Sequence, residues 1–164
     1  MPVKGADVVS KNILIFGGRF LDEVNKDMEQ ARRILDKAIE KNISLQDHSL
    51  EDLAAMGHPY AVRAPQAIHE PGYQVHTQSG ELLGAKYSGT DPASVNGGRL
   101  SATAFVGIRE SVRHAFFVVY GTSKMVPRDF LIGSLGEVRI QIWEVLKRSL
   151  NQAVVSFNGE TERL

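Results

Sequence analysis

The sequence predicts an α+β fold, with an N-terminal helix, an antiparallel β-sheet of about four strands, and a C-terminal helix packed on that sheet. Three observations predict it. Apolar residues recur at alternating spacings of three and four from Arg19 to about Asn42, the period shortens to two beyond Gly72, and a three-and-four pattern returns over residues 134–150. No helix-length segment separates the apparent strands, which favours a meander over βαβ units, where parallel strands need a crossover helix.

Residues 1–18 read as an arm, in which a polar start leads to Ile13, Leu14, Ile15 and Phe16 and stops at Gly17 and Gly18. That much apolar surface wants a partner in this chain or a neighbour, which makes these four residues interface candidates. From Arg19 the stripe Leu21, Val24, Met28, Ala31, Leu35 and Ala38 gives a helix with one buried face. The opposite face carries Lys26, Arg33 and Lys37 among several carboxylates, and such mixed signs suit water better than nucleic acid.

In "DHSLEDLAAMGHPYAV", Ser49 can cap a short helix, Asp52 can act as its box partner and Gly57 can end it, before His58-Pro59 turns the chain out. Residues 62–71, with Pro65 and Pro71, have loop composition. "YQVHT" and "LLGAKYS" read as short strands around the turn "QSGE", and "GTDPASVNGG" reads as a loop. "SATAFVGI" and "HAFFVVY" read as two more strands joined by the charged turn "RESVR".

The second helix is expected from about Ser134 to Leu150, with Leu135, Val138, Ile142, Val145 and Leu146 as its buried stripe. "NGETERL" closes the chain as a polar tail. The organisation is thus an arm over 1–18, a single α+β domain over 19–150, and a tail over 151–164.

At 164 residues the chain suits one domain that buries roughly two-thirds of its unfolded surface. Nineteen basic residues balance nineteen acidic ones, so no global field draws the protein onto nucleic acid or anionic lipid. The absence of cysteine excludes disulfides and thiolate metal sites and fits a reducing compartment. The apolar run in "KNILIFGGRFL" falls well short of the ~20 residues that span a bilayer, so no membrane partner is expected.

Catalytic patterns fail on spacing. His48, His58, His69, His76 and His114 form no helical metal pair, and His69-Glu70 lacks a second histidine three residues on. No serine occupies a G-x-S-x-G elbow. "GTSK" lacks the first glycine of a phosphate-binding G-x-x-x-x-G-K-[ST] loop, and the carboxylate pairs lie at a helix start and in the tail. No catalytic residue, metal ligand or cofactor is assigned.

In "VVYGTSKMVPRDFLIGSL", Gly121 permits a tight turn, Thr122 and Ser123 can bond its backbone, and Pro127 stiffens the exit. Phe130, Leu131 and Leu135 are expected to return to the core. Lys124 and Arg128 are expected to project at the rim of the sheet, as further interface candidates.

These residues also carry a resemblance. "HAFFVVYGTSKMVPRDFLIGSL" resembles the signature of a large family of tailed-bacteriophage neck proteins, variously called tail-completion, head-tail joining or minor capsid proteins. That signature runs from an aromatic strand through G-T-S-K-M to a Pro/Arg/Phe-Leu segment opening a C-terminal helix. "HSLEDLAAMGHPYAVR" and "VHTQSGELLGA" are similar to two further family segments and occur in the same order, so the resemblance covers roughly residues 20–148. Where the family often has Arg-Pro-Phe-Leu, this chain has Arg128-Asp129-Phe130-Leu131, with the proline earlier at Pro127.

The resemblance implies a non-enzymatic virion component at the head-tail junction, resident in the host cytoplasm before assembly. It implies a homo-oligomeric ring, with sixfold symmetry expected first and twelvefold second, bound to portal or adaptor and tail proteins around DNA that passes without sequence-specific contact. The neutral charge balance agrees, because such a conduit should not trap its cargo. The alternatives are a small nucleic-acid-binding module using Arg99, Arg109, Arg113, Lys124 and Arg128, and a metal-dependent hydrolase using His58 or His69. The first would bind as a monomer with steep salt dependence, and the second would lose turnover when either histidine is replaced.

Overall fold

The computed structural model describes residues 6–44, 73–75, 80–123 and 127–161. The short helix expected from Ser49 to Gly57, the loop over 62–71, the end of the "YQVHT" strand and Lys124 lie outside them. Within them the fold is α+β: a long N-terminal helix α1 (Ala6–Asn42), a one-turn helix α2 (Glu81–Gly84), strands β1 (Lys86–Asn96) and β2 (Arg99–Ile108) paired as a two-stranded antiparallel sheet, a helix α3 (Arg113–Tyr120), and a C-terminal helix α4 (Phe130–Thr161).

The stripe predicted for α1 faces inward as expected: Ala31 and Ala38 are buried, and Leu21, Val24, Met28 and Leu35 are half-buried. The arm is the difference. Gly17 and Gly18 do not stop the helix, which begins at Ala6 and takes in Ile13, Leu14, Ile15 and Phe16. Each glycine disfavours the helix by about 1 kcal/mol relative to alanine. Once nucleated, however, a helix gains a hydrogen bond with every added residue, so two glycines need not end it.

Among the described residues the sheet has two strands, and the expected number of about four is not borne out there. Leu82, Leu83 and Gly84 make the turn α2 rather than a strand, and Tyr73–Val75 form a turn and an irregular segment. "HAFFVVY" is helix α3. Its Val118 is buried, with Ala115 and Val119 packed on the core, while Arg113, Phe116, Phe117 and Tyr120 share the outer face. Both faces are largely apolar, so the helical period was masked in the sequence.

Most of the expected loop "GTDPASVNGG" is strand. Gly97 and Gly98 both hold positive φ, 57° and 75°, as a two-residue type I′ hairpin turn requires. Proline is tolerated because β1 is an edge strand. Two aromatic rings lie over glycines across the pair: a Cβ added at Gly89 would sit 2.7 Å from the Phe105 ring, and one at Gly107 would sit 3.0 Å from that of Tyr87.

The helix α4 starts earlier and ends later than expected. Of its predicted stripe, Val145 is buried and Val138, Ile142 and Leu146 are half-buried, but Leu135 is exposed and Ser134 takes the inward position. Much of the expected tail, through Thr161, is helical.

By its contacts the chain forms two compact units, one from residues 1–32, 89–105 and 141–164, the other from 33–88 and 106–140. In the first, Asn25 Oδ1 accepts the backbone N–H of Ala93 at 2.6 Å. In the second, Ile39, Ile43, Val75, Leu82, Ala85, Val112, Val118 and Phe130 build an apolar core, with Phe130 fully buried as predicted.

Candidate functional site

The segment from α3 to α4, within the second unit, carries most of the sequence signal. Gly121 ends α3, its N–H donating to Phe117 O at 2.8 Å. Its φ of 73° and ψ of −178° belong to a region open essentially to glycine alone. The chain returns at Arg128, whose N–H donates to Val118 O at 2.8 Å. Asp129 then caps α4, its Oδ1 accepting the N–H of Ile132 at 3.0 Å. The carboxylate where the resembling family often has proline thus satisfies one of the helix's open donors.

Arg128 is not at an exposed rim. Only 2 % of its surface is accessible, because its backbone is tied to α3 and the adjoining Phe130 fills the core. Arg109 and Arg113 are exposed in the same unit, and Arg99 is exposed in the other. Ile13, Leu14, Ile15 and Phe16 share one helix.

What stands outward instead is the aromatic face of α3. Phe116 and Phe117 meet edge to face with centroids 6.1 Å apart, and Phe116 and Tyr120 lie at 4.6 Å. Phe116 is 61 % and Tyr120 68 % exposed. The positions 113, 116, 117 and 120 follow i, i+3, i+4, i+7, so Arg113 and three rings form one stripe directly before the G-T-S-K-M segment.

A polar cluster, buried at Asn42 and Ser134 and open to solvent at Glu137, joins the end of α1, the start of α4 and the segment Tyr73–Val75. Asn42, with no accessible surface, donates through Nδ2 to Ser134 Oγ at 2.9 Å and to Glu137 Oε2 at 3.2 Å. Its Oδ1 accepts from Gln74 Nε2 at 3.1 Å, and its carbonyl accepts from Val75 N at 2.8 Å. The Tyr73 hydroxyl donates to Glu137 Oε1 at 2.5 Å, and the ring lies so close to Gly133 that any Cβ there would run into it.

The hydrogen bond to Glu137, with lesser contributions from burial and carboxylate charge, pushes the Tyr73 phenol up to about 12. The same bond holds the Glu137 carboxyl below its ordinary value, helped by Asn42 and by Lys41 at 3.8 Å and opposed by burial. Both amide atoms of Asn42 and both carboxylate oxygens of Glu137 are engaged by the fold. Ser134 Oγ faces an amide rather than a base, so the cluster clasps three segments and lacks the nucleophile–base pair of covalent catalysis.

Beneath β1, Lys86 Nζ reaches Glu40 Oε2 at 2.8 Å and Asp36 Oδ2 at 3.1 Å. Burial works against the ammonium, but the two carboxylates raise the Lys86 pKa overall. His114 Nδ1 stands 3.7 Å from Glu81 Oε2, both about half exposed. His48, His58, His69 and His76 lie outside the described residues. Among the described residues no group of three histidine or carboxylate side chains is placed to hold a metal ion, and no helix is long and apolar enough to cross a membrane.

Sequence reasoning missed Asn42, Tyr73, Ser134 and Glu137, whose separation along the chain leaves no spacing to detect. The outward α3 stripe left no signal either, because "HAFFVVY" is apolar on both faces. No protein-family model matches the chain, and no curated protein or solved structure matches it.

Proposed function

We propose that this chain is a structural assembly protein, a ring-forming head-tail connector of a tailed-bacteriophage virion that surrounds the DNA channel. The observation that carries the assembly reading is the imbalance of apolar surface. Among the described residues thirteen large apolar side chains are exposed while eleven apolar side chains are buried. Single exposed apolar residues are ordinary, but contiguous patches mark interaction surfaces.

The α3 stripe is such a patch. Three rings at least half exposed leave roughly 300 Å² of apolar surface, for aromatic side chains of about 150–250 Å² each. Covering it is worth roughly 7 kcal/mol before the cost of association. A closed ring needs two different patches per chain, one fitting the other on the neighbour. The stripe supplies one of them, beside the segment whose residues carry the phage resemblance. That resemblance supports the virion assignment, with sixfold symmetry ahead of twelvefold.

Native mass spectrometry and electron microscopy of the purified chain, alone and with portal complexes, test the reading. Closed rings, or rings seated on a portal, are the expected result. A chain that stays monomeric and never joins a portal or tail overturns it. Replacing Phe116 and Tyr120 with serine should abolish ring formation while leaving the helical circular dichroism unchanged.

A further inference from the structure

The two edges of the hairpin are not equivalent, and we infer that the outer edge of β2 pairs with β2 of a second copy of this chain. The argument begins with register. The type I′ turn pairs Asn96 with Arg99, whereas Gly89 faces the Phe105 ring, which is one residue out of step with that pairing. The strands agree, with eleven residues in β1 and ten in β2. One extra residue therefore lies on β1 between Gly89 and Asn96, as a β-bulge.

Alternation then assigns the backbone groups. Odd-numbered residues of β2 face β1, consistent with Arg109 N donating to Ala85 O at 3.0 Å. On β1 the bulge lies within the stretch that holds Pro92 and Ala93. Pro92 has no N–H, and that of Ala93 is taken by Asn25. With Asp91 beside them, these are the devices that keep an edge strand from recruiting another.

The outer edge of β2 has none of these devices. Between Arg99 and Arg109 it carries no charge and no proline. Leu100, Ala102 and Ala104 direct their N–H and C=O groups outward, and among the described residues no other segment bonds to them. Val106 and Ile108 pack on the second unit's core, so the open stretch runs from Leu100 to Ala104, with Ala102 at its centre.

This stretch is complementary to itself. With two copies antiparallel about a two-fold axis at Ala102, each outward donor meets an outward acceptor. Leu100 then lies opposite Ala104 of the second copy, large against small, and Ser101 lies opposite Thr103, a hydroxyl pair suited to cross-strand bonding. No like charges oppose. The contact is isologous and closes on itself, unlike the heterologous contact of a ring, so it stands or falls independently of the proposed function.

The chain has no cysteine, which makes the test clean. Ser101→Cys and Thr103→Cys variants are prepared separately in the full chain, then mixed under mild oxidation. In this register the paired Cα atoms lie about 4.5 Å apart, within disulfide reach. The mixture should give a covalent dimer, and neither variant alone should. Absence of the mixed dimer from folded variants, or faster linking by one variant alone, overturns the inference.

The unmodified chain provides a second measurement. Exchange at the Leu100, Ala102 and Ala104 amides should slow on the order of tenfold as rising concentration brings the chain to nine-tenths associated. Ala102→Pro should abolish that response without changing the circular dichroism. Exchange independent of concentration would overturn the pairing even if rings form.

Discussion

Replacing Phe130 with alanine removes the largest fully buried side chain of the second unit. The ring sits among Ile39, Ile43, Val75, Leu82, Val112 and Val118, contributed by four separate stretches of chain. A cavity lined from so many directions collapses poorly, which places the cost at about 3–5 kcal/mol. Phe130→Leu keeps much of the volume and should cost less than about 1.5 kcal/mol. For a chain of this size each kcal/mol moves the melting point by roughly 2–4 °C, so the alanine variant should melt roughly 6–20 °C below the parent.

Thermal and urea unfolding followed by circular dichroism at the helical band would measure this, with amide exchange separating the two units. The single tryptophan, Trp143, belongs to the first unit, and its unchanged native emission would show that the substitution acts locally. A Phe130→Ala melting point within about 2 °C of the parent, or equal losses from alanine and leucine, would refute the core placement.

Gly17→Ala and Gly18→Ala should each stabilise the chain by about 0.5–1 kcal/mol in urea titrations, because an added methyl meets no atom within 4 Å; destabilisation would mean that α1 breaks there. Gly121→Ala should cost about 1–3 kcal/mol by the same assay, and a neutral result would contradict the backbone conformation that closes α3. Tyr73→Phe should flatten the stability–pH profile at both ends. Glu137 is depressed in the fold, so its contribution is present above the ordinary carboxylate pKa of about 4.3 and fades as pH falls below it. Tyr73 is raised, so its contribution holds below about 10 and is lost as pH climbs toward 12. Parallel profiles for parent and variant would contradict the clasp.

The elements that could be read from sequence were those with one apolar and one polar face. The inward stripe of α1 and the return of Phe130 to the core belong to this kind. Helix α3 was misread because Phe116, Phe117 and Tyr120 are apolar yet outward, so "HAFFVVY" has no polar face to betray its period. Strand β1 is legible only at its start, Lys86 to Ser88, because Pro92 and the Asn96-Gly97-Gly98 turn resemble loop composition, although proline suits an edge and the glycines suit a hairpin. Lys124 and Arg128 were grouped as one basic rim by adjacency alone. Proximity along the chain could not foresee that Arg128 is drawn inward beside Phe130.

The glycine–aromatic pairs of the hairpin bear on how this sequence can change over generations. The Phe105 ring occupies the space a side chain at position 89 would need, and the Tyr87 ring does the same at position 107. Each pair therefore behaves as a single heritable unit. A variant that gains bulk at 89 is penalised until 105 surrenders its ring, after which the reversed pair is tolerated. Among descendants of this chain, positions 89 and 105 should drift together, as should 87 and 107, while the exposed Thr90 and Ser94 remain free to vary alone.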